Sequence, residues 1–414
     1  MQYTDDQKAA VAHLNEFLHG PHAEFCLSGR AGVGKTTVIK DIARKRPVLG
    51  LTISHKAKNV LSSSIPGSKT IAAGLGMKMR NNNLGEITFI VDPHSDGLPP
   101  ISTAMTVVVD ECSMISAYVQ HHIRKLKRTG CKIIYMGDRH QLPPIDKDRK
   151  PGEDSPTFDV DRGYEIRQRV RQDEGSPITQ LSDVIAAEIR GKHSMEFLRS
   201  IRTNYDKENG TGYATASKVR CIERMVVDWM DGNDSRVIAY RNKTVARYNE
   251  QIRTMIYGEN CDRFMKNEAI VGNNPYKVED ETILENGEDA EVRNITVVEH
   301  EGVQCYSLDI GKHKPLMVVH PSGEEAYKKE LGALLADAQE NKQLWYRYFG
   351  YKELFADVSY AYAINTHKSQ GSTYDNVFCD VGDITSVARI CQKERLQSLY
   401  VAATRPAKNL ALMV

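Results

Sequence analysis

The chain has 414 residues, of which 41% are hydrophobic and 26% charged, and its net charge is +1. That composition describes a globular chain long enough for two or three compact units. No apolar run approaches the roughly 18 residues of a membrane helix, and the polar, acidic stretch MQYTDDQKAA has no secretory core, so a cytoplasmic protein with no membrane partner is expected. The eight cysteines lie far apart without a C-x-x-C pair, which argues against a zinc site or disulfide framework and for reduced, mostly buried thiols. A total charge near zero neither advertises nor excludes a nucleic-acid partner, because recognition depends on how charge is distributed.

In chain order, short β-branched runs come first: EFCLSG (24–29), VLGLTIS (48–54), MTVVVD (105–110) and KIIYMGD (132–138). Each is followed by a polar turn and helical spacing, the pattern of a buried parallel sheet in an α/β unit. Between them, residues 77–103 are rich in Asn, Gly and Pro around one alternating run, EITFIV, and read as an inserted hairpin. A second series follows with RVIAY (236–240), YAYAI (360–364), NVFCDV (376–381) and LALMV (410–414). Within it, residues 257–355 mix alternating strands, a turn at Asn286-Gly287 and one helical stretch, and read as a small β-rich insertion.

The chemistry is concentrated at strand ends. GRAGVGKT, from Gly29 to Thr36, fits the phosphate-loop pattern between a strand and a helix. Gly29, Ala31, Gly32, Val33 and Gly34 would turn backbone N–H groups toward phosphate oxygens. Lys35 would add charge, Thr36 a hydroxyl for Mg²⁺, and Thr37 a further position in the first helical turn. ATP with Mg²⁺ is the ligand this implies. About 75 residues downstream, VVVDECS ends a strand in two carboxylates. Asp110 is placed to hold the metal, and Glu111 to orient and deprotonate the attacking water. In GDRHQLPPI (137–145), Gln141 either reports on the terminal phosphate or belongs to a plain polar loop closed by two prolines. A second polar loop, THKSQGST (366–373), lies more than three hundred residues beyond the phosphate loop and has no evident packing purpose.

Gln7, GRAGVGKT, SHKAKNV, DECSM, GDRHQLPP, EIRQRVRQ, RVIAYRNKTVARYN, THKSQGST and LYVAATRPAK occur in the order found in superfamily 1 helicases, and span residues 7 to 408. The chain resembles the branch that includes RecD and the compact phage Dda-type helicases. The resemblance implies two RecA-like P-loop domains with parallel sheets: residues 1–160 with the hairpin 77–103, then residues 161–256 with 356–414, leaving 257–355 as an accessory insertion. It implies that Arg171 and Arg405 reach the γ-phosphate from the second domain as arginine fingers, and that Gln7 reads the adenine edge. Gln370 and Gly371 would face the nucleotide, whereas Thr366, His367 and Lys368 would face a single strand; a buried structural role for His367 stays open. Ser54, His55, Lys56, Thr70, Asn242 and Lys243 would continue the strand track with phosphate and sugar contacts. In the hairpin, Phe89 is either the wedge that splits a duplex or a packing residue.

The resulting expectation is an ATP-dependent, Mg²⁺-requiring enzyme, monomeric, that translocates 5′→3′ on single-stranded DNA, acts at duplex junctions and could meet replication or recombination proteins. The alternatives are an RNA-directed or dual-specificity helicase of the same architecture, and a nucleotide-switched DNA-binding protein that does not unwind.

Overall fold

The computed structural model describes residues 3–81, 87–91, 97–169, 175–279 and 281–414. The chain divides into two compact units, one drawn from residues 1–77, 91–248 and 363–414, the other from 78–90 and 249–362.

The larger unit holds two six-stranded sheets. The first runs in the order Lys69–Thr70, Leu49–Thr52, Thr106–Val109, Lys132–Gly137, Glu24–Gly29, Gly163–Ile166, all parallel. Its strands are apolar on both faces because the pleat sends alternate side chains to opposite sides and helices cover each. Phe25, Leu27, Ile134 and Met136 meet Leu14 of the helix Asp5–His19 and Ile39 of the helix Lys35–Lys45. On the other face, Val107, Val109, Ile133 and Tyr135 meet Ile123 of the helix Ala117–Leu126. Each such side chain, fully withdrawn from water, contributes about 1.5 to 3 kcal/mol.

The second sheet has the order Ala363–Asn365, Ser235–Ala239, Tyr374–Asp380, Pro406–Met413, Thr211–Ala216, Asn204–Asp206, parallel except for the last pair. Its core sets Ile238, Val377, Cys379 and Leu410 against Leu181 and Ile185 of the helix Pro177–Arg190 and Leu396 and Leu399 of the helix Gln392–Ala403.

The smaller unit is β-rich. It contains the antiparallel sheet Asp289–Glu291, Ala269–Gly272, Val358–Tyr360, the hairpin Tyr276–Val278 with Glu281–Leu284, and the meander Asn294–His300, Val303–Asp309, Leu316–Val319. The helices Glu324–Glu340 and Trp345–Glu353 pack together beside them.

Three boundaries differ from the sequence expectation. The strand Gly163–Ile166, placed by sequence in the second domain, pairs in parallel with Glu24–Gly29 and closes the first sheet. Only its Ile166 is buried, so an edge strand of this kind carries little apolar signal. The β-rich unit begins at 249 and ends at 362, wider than the expected 257–355, because the helix Asn242–Tyr257 continues into it. Residues 78–90 group with that unit rather than with the first sheet. The expected hairpin is present as the strand pair Met77–Asn81 and Ile87–Val91; the Phe89 side chain lies outside the described residues, as does Arg171.

Candidate active site

The phosphate loop joins the inner strand Glu24–Gly29 to the helix Lys35–Lys45, so its N–H groups gather at a helix N-terminus. Gly32 (φ 79°) and Gly34 (φ 82°) take the left-handed conformation that side chains resist. A Cβ at Gly34 would strike the Gln7 amide. Gln7 is buried, accepts from the Thr4 N–H at 3.1 Å and donates to the Val33 carbonyl at 3.0 Å. Its amide thus bolts the first helix to the loop through one bond at each of its polar atoms. The Lys35 ammonium donates to the Gly29 and Arg30 carbonyls at 2.6 and 3.0 Å, folded back over the loop that would receive phosphate. Thr36 and Thr37 lie in the first turn of the helix.

Asp110 follows the strand Thr106–Val109 directly, and its carboxylate accepts from the Glu111 N–H at 2.8 Å. Glu111 sits at φ 52°, a strained conformation for a residue with a side chain and typical of functional sites. Desolvation first, and the Glu111 charge second, push the Asp110 carboxyl up to about 7 against the pull of Lys35. Two carboxylates held in this way call for a cation. The Thr36 hydroxyl and the Asp110 carboxylate are hard oxygen donors of the kind a magnesium ion accepts.

The second sheet meets this site within the same compact unit. Gln370 Nε2 donates to Gln141 Oε1 at 3.2 Å, and both side chains are buried. Gly371 (φ 72°) lies so that a Cβ there would stand 3.9 Å from Glu111 Oε1. The two polar loops that sequence singled out therefore touch. Asp138 is also shared: His140 Nδ1 lies 2.7 Å from its Oδ1, and the Tyr400 hydroxyl, from the second sheet's helix, donates to its Oδ2 at 2.8 Å. Burial would raise the Asp138 carboxyl, but the His140 hydrogen bond and the Lys35 charge hold it below the usual range. Further along the same helix, Glu394 pairs with Arg149 and Lys393 with Asp154, each at 2.7 Å.

Arg405 is 5% exposed. Its guanidinium donates to the Val401 and Ser372 carbonyls at 3.1 and 3.2 Å and to Thr404 Oγ1. In this state the expected finger is tied within its own domain.

The expected strand track is assembled in part. A cavity of about 740 Å³ is lined by Ile145 of the first half and by Tyr240, Asn242, His367, Lys368 and Arg389 of the second. His367 packs edge-on against Tyr240, ring centroids 5.5 Å apart, and burial holds its pKa below the ordinary value. Lys243 and Lys368 are exposed. Thr366 departs from expectation. It is wholly buried, and its hydroxyl donates to the Ala239 carbonyl at 3.1 Å, because the helical turn Thr366–Ser369 faces inward there. Ser54 and Thr70 cap short helices by accepting from the Ala57 and Ala73 N–H groups, and Thr70 is buried. His55 is half-buried beside Lys58. Lys56 lies over the Tyr374 ring, 5.3 Å from its centroid. Sequence reasoning missed Asp138, His140 and Tyr400; Asp138 and His140 were within the quoted GDRHQ, but their partner is 262 residues away.

A phosphate loop, a carboxylate pair and a second parallel sheet closing on both define a two-domain P-loop hydrolase. The comparisons agree. The AAA domain family matches residues 2–200, and the UvrD-like helicase C-terminal domain family matches residues 360–413. The ATP-dependent DNA helicase dda of Enterobacteria phage T4 is 24% identical, with 97% of each chain covered. An uncharacterized protein, R530, of Acanthamoeba polyphaga mimivirus is also 24% identical over the whole of both chains. The fold is shared with a Bacteroides Pif1 bound to ssDNA, with TM-score 0.54, 15% identity, and 99% of this chain and 92% of that one covered. The chain is similar over nearly its whole length to superfamily 1 helicases of the Dda type, and with the phosphate loop and carboxylate pair this makes it an ATP-hydrolysing enzyme. Among the described residues no helix is long and apolar enough to cross a membrane.

Proposed function

We propose that the protein is a Mg²⁺-dependent DNA helicase that translocates 5′→3′ on single-stranded DNA and separates duplex ahead of it. The observation that carries this reading is the Gln141–Gln370 contact beside Gly371 and Glu111. One loop of the second domain touches the hydrolytic site, while its preceding residues, His367 and Lys368, line the open cavity. Closure of the cleft on ATP must then move the strand-facing half of that loop, which is how hydrolysis is converted into displacement. The polarity follows the resemblance to the RecD and Dda branch. DNA as the track follows the phage relative described as a DNA helicase and the Pif1 neighbour described as bound to ssDNA.

In this mechanism the loop N–H groups and Lys35 bind the phosphates. Gln7 fixes the loop, and Glu111 takes the proton of the attacking water. Arg405 and Arg171 complete the charge around the γ-phosphate when the cleft closes, which requires Arg405 to exchange its carbonyl partners for phosphate. Thr36 and Asp110 would hold Mg²⁺, which would supply charge neutralisation at the phosphates. Asn242, Lys243, His367 and Lys368 contact the strand, with Ser54, His55, Lys56 and Thr70 shaping its path. The domain division is residues 1–77 with 91–166, then 175–248 with 363–414, with the β-rich unit as accessory.

The test is steady-state ATPase with single-stranded DNA, single-stranded RNA or neither, together with unwinding of forks carrying only a 5′ or only a 3′ loading tail. Strong DNA stimulation and unwinding from the 5′ tail alone are expected. Stimulation by RNA alone, or stimulated ATPase without unwinding of either fork, would overturn it.

A further inference from the structure

Arg30 follows the first glycine of the phosphate loop, and its carbonyl receives the Lys35 ammonium. Its guanidinium donates to Asp183 Oδ1, on the helix Pro177–Arg190 of the second sheet, and Arg169 donates to the same oxygen. One carboxylate thus faces two guanidiniums, leaving a surplus positive charge on the rim of the loop. The side chains are only partly exposed, 24% for Arg30, 12% for Arg169 and 41% for Asp183. Both guanidiniums also act on the Tyr400 phenol, although burial and Asp138 dominate there and push its pKa up. The cluster therefore shares the cleft with the Asp138–Tyr400 link.

We propose that Arg30 and Arg169 are additional phosphate-binding residues that Asp183 holds until a nucleoside triphosphate arrives. This rests on reading the loop as the ATP site. A guanidinium fork fits carboxylate and phosphate equally well, so Asp183 and the terminal phosphates compete for the same donors. The more highly charged triphosphate competes better than the diphosphate. Because Asp183 belongs to the second sheet's helix, its release links phosphate occupancy to that domain, and the link is reciprocal.

The opposite signs expected of two substitutions test the idea. Methylanthraniloyl-ATP and methylanthraniloyl-ADP are titrated, with MgCl₂, into wild type, Arg30→Ala, Asp183→Asn and the double variant, after thermal melts show that each is folded. Partly exposed ion pairs set the scale at about two- to fivefold. Arg30→Ala should weaken the ATP analogue by that factor and the ADP analogue less. Asp183→Asn should strengthen the ATP analogue, and the double variant should follow Arg30→Ala. A merely structural bridge would make both single variants bind alike, and that result, or an Arg30→Ala affinity equal to wild type, overturns the proposal. If Lys35→Ala abolishes binding while the Arg30 and Asp183 variants match wild type, this inference alone fails. If wild type binds neither nucleotide, the ATP reading falls with it.

Discussion

Replacing Tyr400 by Phe removes one hydroxyl from a site where its loss can be valued. The ring stays in the second sheet's core and beside His140, with centroids 5.5 Å apart, so no cavity opens. What is lost is the 2.8 Å bond to Asp138, between side chains that are 0% and 1% exposed, where solvent neither screens the bond nor replaces it. A hydrogen bond to a charged acceptor contributes about 1.5 to 3 kcal/mol, and the larger figure suits a carboxylate left with one fewer donor. Urea denaturation followed by circular dichroism should show a loss in that range. In an Asp138→Asn background the same substitution should cost about half as much, since the acceptor is then neutral. A loss below about 0.5 kcal/mol in the native background would refute the reasoning, because that is the scatter of substitutions that disturb nothing. It would mean that the two domains are not held together through Asp138.

Glu111→Gln should retain nucleotide and DNA binding but hydrolyse poorly, since Asp110 and Lys35 are untouched; near-normal turnover in a single-turnover assay would remove Glu111 as the base. Arg405→Ala should lower kcat by on the order of 10³ and also lower the melting temperature, because three oxygens of its own domain lose their donor. Unchanged turnover in the presence of DNA would assign Arg405 to the fold alone. Phe89→Ala should leave ATPase and single-strand translocation intact while abolishing fork unwinding, whereas a parallel loss of stability and every activity would favour packing. His367 has a depressed pKa, so folding favours its neutral form. Its contribution to stability is present above the ordinary histidine value of about 6.5 and is lost as pH falls through the folded value. His367→Gln should flatten that acid limb in melts across pH, and an unchanged limb would exclude it.

Sequence by itself determined what is local. The phosphate loop was legible because its glycines must take backbone conformations that other residues resist, and because Lys35 and Thr36 follow at fixed spacing. Asp110 was legible because an all-valine run ends where a parallel strand reaches the sheet's ligand-binding edge. The inner strands of both sheets were visible as continuous apolar runs, as burial on two faces requires. The edge strand Gly163–Ile166, with one buried residue, offered no such run and was assigned to the wrong domain. Side-chain direction was equally hidden. Thr366 and Lys368 stand two residues apart in one polar loop, yet one is wholly buried and the other exposed, because a single helical turn points them oppositely. Only the tertiary structure decided which distant groups meet. Gln141 finds Gln370 across 229 positions, Asp138 finds Tyr400 across 262, and Arg30 finds Asp183 across 153. No periodicity or propensity encodes such pairs, since each partner is locally an ordinary polar residue and the contact exists only once two sheets, each stabilised by its own apolar core, have been brought together.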